Sequence, residues 1–148
     1  MALKSGTMMK EHCYNSPLDV LKEYWGYDSF RTRQEEIVNA ALEDRDVLAI
    51  LPTGGGKSVC FQVPAMMRQG IAIVVTPLIA LMKDQVQNLA DRGIKALCVN
   101  AGMSRREVDL TLNNAAYGDF KFLYVSPERI GTRLFRSYVQ VMDISYIV

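Results

Sequence analysis

The chain has little cysteine, a single histidine and no long apolar run, and each shortage argues against a class of protein. Its three cysteines, Cys13, Cys60 and Cys98, are scattered and odd in number. They form neither a disulfide framework nor the paired spacing of a zinc site, which suits a reducing cytosol. No apolar stretch approaches the length of a membrane span, and residues 1–10 contain no signal-peptide core. We therefore expect neither a small secreted scaffold nor a membrane protein, and we expect His12 to be solvated and without a role.

An excess of charge of one sign is also missing. Seventeen basic and sixteen acidic residues leave a formal net charge of +1, so any binding to nucleic acid must come from local patches. The 148 residues are 49% hydrophobic and 22% charged, which predicts one globular domain with a real core. We expect residues 1–15 to be a flexible polar head, of which 1–9 look partly like an added leader. Residues 16–148 are expected to form the domain.

A glycine-rich segment that follows an apolar run is the most informative part of the sequence. Val47–Leu51 is long enough for one buried strand, and Pro-Thr-Gly-Gly-Gly-Lys-Ser follows it at 52–58. The next residues can begin a helix. The order strand, glycine loop and helix, ending in Gly-Lys-Ser, is typical of a phosphate-binding loop. The alternative is a glycine-rich turn that happens to contain a lysine.

The residue types of this loop suit a polyphosphate. Glycines let the backbone curl so that several N–H groups point inward, and the helix that begins there adds partial positive charge. Lys57 is expected to reach the outer phosphates and to be the catalytic residue, and Ser58 is expected to ligate magnesium. The nucleotide-binding residues predicted here are Thr53, Gly54, Gly55, Gly56, Lys57 and Ser58.

Helical segments alternate with short apolar runs along the rest of the chain. Helices are predicted at about 17–25, 31–42, 57–67, 78–90, 104–117 and 132–141, and strands at 47–51, 71–75, 96–99, 120–125 and 144–148. This alternation predicts an α/β domain, in which a parallel sheet carries helices on both faces. Ligands are expected beyond the carboxyl ends of the strands.

Four blocks of sequence resemble one family. They are Gly26–Glu35, the phosphate loop with Cys60, Phe61, Gln62 and Pro64, Thr76–Val86, and Tyr124–Arg129. In this order they resemble the first RecA-like domain of RecQ-family DNA helicases, in helicase superfamily 2, over about Leu21 to Val148. Leu51 stands where the general phosphate-loop pattern has its first glycine, so the loop is of the helicase kind. A kinase or transport ATPase, the alternative phosphate-loop enzymes, has no use for the other blocks in this order.

The resemblance implies that the first block recognises adenine. Tyr27 offers an aromatic face for stacking, and the amide of Gln34 can donate and accept at the N6 and N7 edge of the base. Arg31 lies one helical turn before Gln34 on the same face. By resemblance we expect all three to contact the nucleotide. The alternative is that Tyr27 and Phe30 are core aromatics, which we favour for Phe30.

The resemblance also implies contacts with the DNA backbone. The candidate residues are Thr76, Lys83, Asn100, Ser126 and Arg129, which follow strands or lie on the next helix. Arg129, Arg133 and Arg136 recur at helical spacing, so we expect them to share a face. The alternatives are that Thr76 only caps the following helix and that the arginines form a solvated surface.

An ATP-dependent helicase that unwinds DNA in the 3′-to-5′ direction is the function that the resemblance implies. It would use ATP and Mg²⁺, act on single-stranded or partly duplex DNA, and work in the cytoplasm at the bacterial nucleoid. We expect the family's Asp-Glu-Ala-His motif directly after Val148 and a second RecA-like domain beyond it, so that the fold is incomplete at its C-terminus, the edge at 144–148 lacks support and the fragment is inactive. The alternatives are a non-catalytic nucleotide- or nucleic-acid-binding module and an RNA helicase of the same superfamily.

Overall fold

The computed structural model describes residues 14–148, so the predictions for His12, Cys13 and the polar head lie outside the described residues. The helices are α1 (Pro17–Trp25), α2 (Gln34–Leu42), α3 (Lys57–Met67), α4 (Ile79–Ala90), α5 (Arg105–Tyr117), α6 (Pro127–Ile130) and α7 (Arg133–Val139). The strands are β1 (Ile71–Val75), β2 (Ala96–Val99), β3 (Phe122–Val125) and β4 (Ile144–Ile147). Within this part of the chain, no helix is long and apolar enough to cross a membrane.

The four strands form one sheet in the order β2-β3-β1-β4, and every pairing is parallel. Alternate residues of β1 point to opposite faces. Ile71 and Ile73 join a buried cluster with α5 and α7, whereas Ala72 and Val74 pack with residues of α3 and α4. The predicted α/β fold, with a parallel sheet between two layers of helices, is therefore confirmed.

A third cluster holds α1, α2 and α3 together through Val20, Leu21, Val38, Val59 and Val63. The three helices form a layer beside the sheet. The C-terminal ends of α2 and α3 are joined by Arg68, which follows α3. Its Nη2 lies 2.6 Å from a carboxylate oxygen of Asp44 and donates to the carbonyl of Ala41 at 2.6 Å. This attachment fixes the direction of α2 and so the position of its first residue, Gln34, beside the glycine loop.

Helices with complete capping signals lie where the sequence places them. The hydroxyl of Ser16 accepts from the backbone N–H of Asp19, and α1 ends at Gly26, whose φ of 70° is left-handed. At α5 the carboxylate of Glu107 accepts from the backbone N–H of Ser104 at 2.7 Å, while the Ser104 hydroxyl accepts from the N–H of Glu107. These contacts with Ser104 hold the pKa of Glu107 below its usual value. Local sequence therefore determines both helices.

The predicted start of one helix is wrong, and one short helix was not predicted. The helix expected from Arg31 begins only at Gln34, because Arg33 has a φ of 70° and cannot continue an α-helix. The segment after β3 contains the short helix α6, which Gly131 and Thr132 separate from α7. Arg129 therefore lies on a different helix from Arg133 and Arg136, so helical spacing does not place the three arginines on one face.

The predicted strand at Val47–Leu51 is also wrong, because this segment has no regular secondary structure. The side chain of Leu48 is 89% exposed and that of Ile50 is 85% exposed. A cavity of about 740 Å³ separates the segment from β4, the edge strand of the sheet. A strand needs a neighbour within hydrogen-bonding distance, so the apolar sequence alone does not produce one here.

Candidate nucleotide site and strand-end surface

The glycine loop is an open turn that leads directly into α3. The backbone N–H of Gly55 donates to the carbonyl of Pro52 at 3.0 Å, and this bond closes the turn. Gly54 and Gly56 have φ values of 78° and 71°, in the left-handed region where other residues are strained. Gly56 is the N-cap of α3 and supplies no side-chain cap. The first N–H groups of the helix therefore remain available to an anion.

Two residues of the predicted adenine block hold this loop directly. Arg31 donates from Nη1 to the carbonyl of Gly54 at 2.8 Å, and Gln34 donates from Nε2 to the carbonyl of Gly56 at 3.1 Å. The other end of the Gln34 amide accepts from the backbone N–H of Arg31 at 2.8 Å. Gln34 is only 4% exposed. The structure thus brings Arg31 and Gln34, two of the residues predicted to contact the nucleotide, to the glycine loop.

The close approach of Gln34 also explains why residue 56 is a glycine. A Cβ atom added at Gly56 would collide with Nε2 of Gln34, the group that donates to the Gly56 carbonyl. A larger residue would therefore break that hydrogen bond and adopt a strained φ. The shape of the loop and the position of the amide depend on each other.

Lys57 and Ser58 open α3 and lie where the sequence predicts them. The Lys57 side chain is exposed and borders the cavity of about 740 Å³, together with Cys60 and Phe61. It takes part in none of the ion pairs found within residues 14–148, so its charge is not neutralised there. Burial raises the pKa of the Cys60 thiol, which lies within 3.6 Å of the Gly56 carbonyl. The charge at the start of α3 is therefore positive.

These features are the kind that suit a phosphate group. The loop offers backbone donors, a lysine ammonium outside the ion pairs of the described residues and the hydroxyl of Ser58, and the space beside Gly54 is open. Tyr27, in the segment between α1 and α2, is 49% exposed, so a ring face is accessible. The described residues contain no cluster of three or more histidine, cysteine or acidic side chains that could hold a metal. Ser58, the one residue predicted to ligate magnesium, lies half-buried in the first turn of α3.

Three of the predicted DNA-contacting residues line up along the carboxyl edge of the sheet. Asn100, Ser126 and Thr76 each follow one of the adjacent strands β2, β3 and β1. The N–H of Ser126 donates to Val99 at 3.0 Å, and that of Thr76 donates to Val125 at 3.1 Å. Because the sheet uses these N–H groups, a phosphate contact at either residue would have to use the side-chain hydroxyl.

Burial divides these residues into two groups. Asn100 is 5% exposed and Ser126 is 1% exposed, so both lie beneath the surface and shape the edge. The side chain of Asn100 accepts from the N–H of Gly102 at 3.0 Å and so orders the loop after β2. Thr76 is half-buried and Lys83, on α4, is exposed. Direct contact with a large ligand is therefore open to Thr76 and Lys83.

Arg129 supports the same loop. Its guanidinium donates to the carbonyls of Asn100 at 3.0 Å, Ala101 at 3.1 Å and Met103 at 2.8 Å. The guanidinium of Arg129 is therefore hydrogen-bonded to backbone oxygens, whereas Arg133 and Arg136 are exposed on α7. This role depends on the folded loop 100–103, and helical spacing could not have indicated it.

A buried polar group that the sequence reading left without a role lies between α3, α4 and β3. Gln62 is 3% exposed and donates from Nε2 to Oε1 of Gln85 at 3.0 Å and to the hydroxyl of Tyr124 at 3.2 Å. The sequence shows Gln62 as a single amide side chain between the apolar residues Phe61 and Val63, on a helix whose composition indicates burial. A buried amide needs partners, but the sequence does not say which residues supply them.

Comparison with known proteins agrees with this arrangement. The family model described as DEAD/DEAH box helicase matches residues 31–148. The ATP-dependent DNA helicase RecQ of Haemophilus influenzae is 42% identical over 130 residues, which cover 88% of this chain and 21% of that protein. The RecQ of Synechocystis is 46% identical over 112 residues, which cover 76% of this chain and 23% of that protein. The resemblance to RecQ helicases is confirmed, and the chain spans about a fifth of the length of these relatives.

A solved structure shows the same fold at much lower sequence identity. The DUF1998 helicase MrfA, bound to DNA and AMPPNP, superposes with a TM-score of 0.71 and 16% identity, over 92% of this chain and 20% of that one. This likeness concerns the fold and agrees with the RecA-like architecture expected from the sequence. With the family model matching most of the sequence, the chain belongs to the DEAD/DEAH box helicase family.

Proposed function

We propose that this chain is the ATP-binding part of a DNA helicase that extends beyond Val148 and moves 3′-to-5′ along DNA. The observation that carries the proposal is the glycine loop, held by Arg31 and Gln34, with Lys57 unpaired at the start of α3. The similarity to RecQ helicases supports DNA as the substrate. Since the RecQ proteins compared above come from bacteria, we also propose that the protein acts in the cytoplasm, at the bacterial nucleoid.

In this proposal, different groups of the glycine loop and of the segment before α2 bind the phosphates, the base and the magnesium ion of ATP. Backbone N–H groups of residues 53–58 bind the phosphates, and the ammonium of Lys57 neutralises charge on the outer ones. Tyr27 stacks on adenine, and Gln34 reads its edge while remaining bonded to Gly56. Ser58 ligates magnesium, which when bound supplies charge neutralisation between the outer phosphates.

The carboxyl edge of the sheet is the proposed track for DNA. Thr76 and Lys83 contact the backbone, and Asn100, Ser126 and Arg129 shape the surface beside them. Such contacts carry no sequence information, which suits an enzyme that moves along any strand. The carboxylates that position the attacking water and the second RecA-like domain are proposed to lie beyond Val148. Residues 1–148 alone are therefore proposed to bind nucleotide weakly and not to hydrolyse it.

The experiment uses the complete protein that contains this chain and three duplexes of equal length. One carries a 3′ single-stranded DNA tail, one a 5′ DNA tail, and one is an RNA duplex with a 3′ tail. We expect ATP-dependent strand separation only with the 3′-tailed DNA. Equal unwinding of the RNA duplex would contradict DNA as the specific substrate, and preference for the 5′-tailed DNA would contradict the proposed polarity. ATP binding without separation of any duplex would favour a non-catalytic module.

A further inference from the structure

The inference concerns the buried hydrogen-bond ring formed by Gln62, Gln85 and Tyr124. Both Nε2 protons of Gln62 are used, one by Oε1 of Gln85 at 3.0 Å and one by the Tyr124 hydroxyl at 3.2 Å. The Tyr124 hydroxyl closes the ring by donating to Oε1 of Gln85 at 3.4 Å. Tyr124 is 1% exposed. Burial is the main cause that raises the pKa of Tyr124 to about 12, so the hydroxyl keeps its proton at neutral pH.

Each member of the ring belongs to an element with a different task. Gln62 lies one helical turn after Ser58 on α3, so the two side chains share a face of the helix that begins at the glycine loop. Gln85 lies on α4, two residues after Lys83. Tyr124 is on β3, two residues before Ser126. The ring therefore joins the nucleotide side of the domain to both of the proposed DNA-contacting segments.

α3 and α4 pack mainly against different elements, and a side-chain hydrogen bond joins them. α3 packs mainly against α1 and α2, whereas α4 packs mainly against β2 and β3. Within the described residues, the side-chain hydrogen bond between α3 and α4 is the one from Gln62 to Gln85. A displacement of α4 would therefore be transmitted to α3 through the hydrogen bond between Gln62 and Gln85.

The ring also has room to open. A cavity of about 170 Å³ lies beside it, lined in part by Ser58, Gln62, Gln85 and Arg92. Gln85 is half-buried, whereas its two partners are buried. The amide of Gln85 can therefore leave the ring for this cavity while Gln62 keeps its bond to Tyr124. The structure holds one arrangement of this network, and a second, with the Gln85 amide in the cavity, would make it the kind of two-state element that coupling between sites requires.

We propose that Gln62, Gln85 and Tyr124 are positioning residues. Through them, DNA bound at Thr76 and Lys83, along the carboxyl edge of the sheet, adjusts the glycine loop and so stimulates ATP hydrolysis. The proposal rests on the proposed function, because it needs both an ATP site and a DNA site. A purely structural network would instead contribute to folding and leave the response to DNA unchanged.

The test measures ATP hydrolysis by the complete protein at saturating ATP, with and without saturating oligothymidylate. Tyr124→Phe removes only the hydroxyl, and Gln85→Leu removes the amide from the half-buried member. We expect each to lower the stimulation ratio at least about fivefold while the basal rate, the KM for ATP and the affinity for DNA each change less than about twofold. Because the ratio compares one preparation with and without DNA, protein that stays unfolded in both measurements lowers both rates equally and leaves the ratio unchanged.

Matched controls lie outside the ring. Tyr138→Phe removes a hydroxyl that donates to Asp109 at 2.8 Å on an exposed surface. Gln87→Leu changes a neighbouring exposed glutamine of α4, whose amide donates to Asp91 at 2.8 Å. Both controls should keep the stimulation ratio of the unaltered protein. The double variant Tyr124→Phe, Gln85→Leu should lose little more than either single variant, because both break the same ring.

Three outcomes would overturn the inference. A normal stimulation ratio in both ring variants would make the network structural, and so would a parallel loss of basal and stimulated rates. If the unaltered protein hydrolyses ATP at the same rate with and without DNA, the inferred coupling is refuted, whereas the proposed ATP site is not. Complete absence of hydrolysis in the unaltered protein would instead refute the proposed function, and the inference with it.

Discussion

At the scale of single residues, Gln34 has the most informative position. Its amide is the side chain expected to read adenine, yet it already accepts from the N–H of Arg31 and donates to the carbonyl of Gly56. One Nε2 proton and one lone pair on Oε1 remain for a base. The same residue can therefore hold the loop and contact the nucleotide, and these two roles have different consequences for base preference.

Gln34→Ala in the complete protein should weaken ATP binding roughly tenfold or more. Losing a partner of buried polar groups costs about 1–3 kcal/mol, and 1.4 kcal/mol is a factor of about ten in affinity. If Gln34 reads adenine, the preference for ATP over GTP should narrow as well. Fluorescence titrations with both nucleotides measure this, with the exposed neighbour Glu35→Ala as the control. An equal loss for ATP and GTP would leave only the loop-holding role, and unchanged affinity would remove both.

At the scale of elements, the sequence predicts structure well where the determining contacts are local. The caps Ser16 and Ser104 place the starts of α1 and α5, and the apolar runs place β1 to β4. Prediction fails where a distant partner decides. The segment 47–51 is as apolar as β1, but a cavity lies between it and β4.

The segment 47–51 should consequently lack the protection of a strand in the 148-residue chain. Amide hydrogens of Leu48 and Ile50 should exchange close to the unprotected rate, because no ladder bond holds them. Those of Ile73 and Val74, in the centre of the sheet, should exchange orders of magnitude more slowly. Hydrogen exchange followed by NMR at neutral pH measures both sets in one sample. Comparable protection at 48–50 and in β1 would show that the segment is a strand in solution.

The candidate site shows the same division between local and distant determinants. The loop, Lys57 and Ser58 are evident from the motif, because their chemistry depends on adjacent residues. The contacts of Arg129 with the loop 100–103 and the bond from Gln34 to Gly56 join residues more than twenty positions apart. No spacing rule predicts such contacts, so the sequence placed Arg129 on the DNA surface while the structure engages its guanidinium with carbonyls.

Three exposed basic residues, Lys83 on α4 and Arg133 and Arg136 on α7, should add salt-dependent affinity for single-stranded DNA. Removing charge at Lys83, Arg133 and Arg136 together should reduce the slope of log affinity against log salt by about 2, at about 0.7 per phosphate contact. Arg129 is left intact, because its loss would disturb the loop after β2. The control is Lys95→Ala, which removes a lysine paired with Asp119 at 3.5 Å. An unchanged slope in the triple variant would make these side chains a solvated surface.

At the scale of the whole molecule, binding and catalysis are expected to separate. Residues 1–148 contain the glycine loop, its supporting side chains and the polar residues Asn100, Ser126 and Thr76 at the strand ends. They span about a fifth of the length of the RecQ relatives. The described part contains no acidic cluster that could complete a metal site. Under the proposed function, the 148-residue chain should show no DNA-stimulated hydrolysis, and the complete protein should show it.

Release of inorganic phosphate by the complete protein, with Lys57→Ala measured beside the unaltered form, tests the central claim most directly. The ammonium of Lys57 is unpaired in the described structure and opens α3 at the glycine loop. The account predicts DNA-stimulated release in the unaltered protein, loss of that release in Lys57→Ala, and unchanged affinity of the variant for single-stranded DNA. Near-normal release by the Lys57→Ala protein, in a preparation free of other ATPases, would contradict the assignment of the loop as the ATP site.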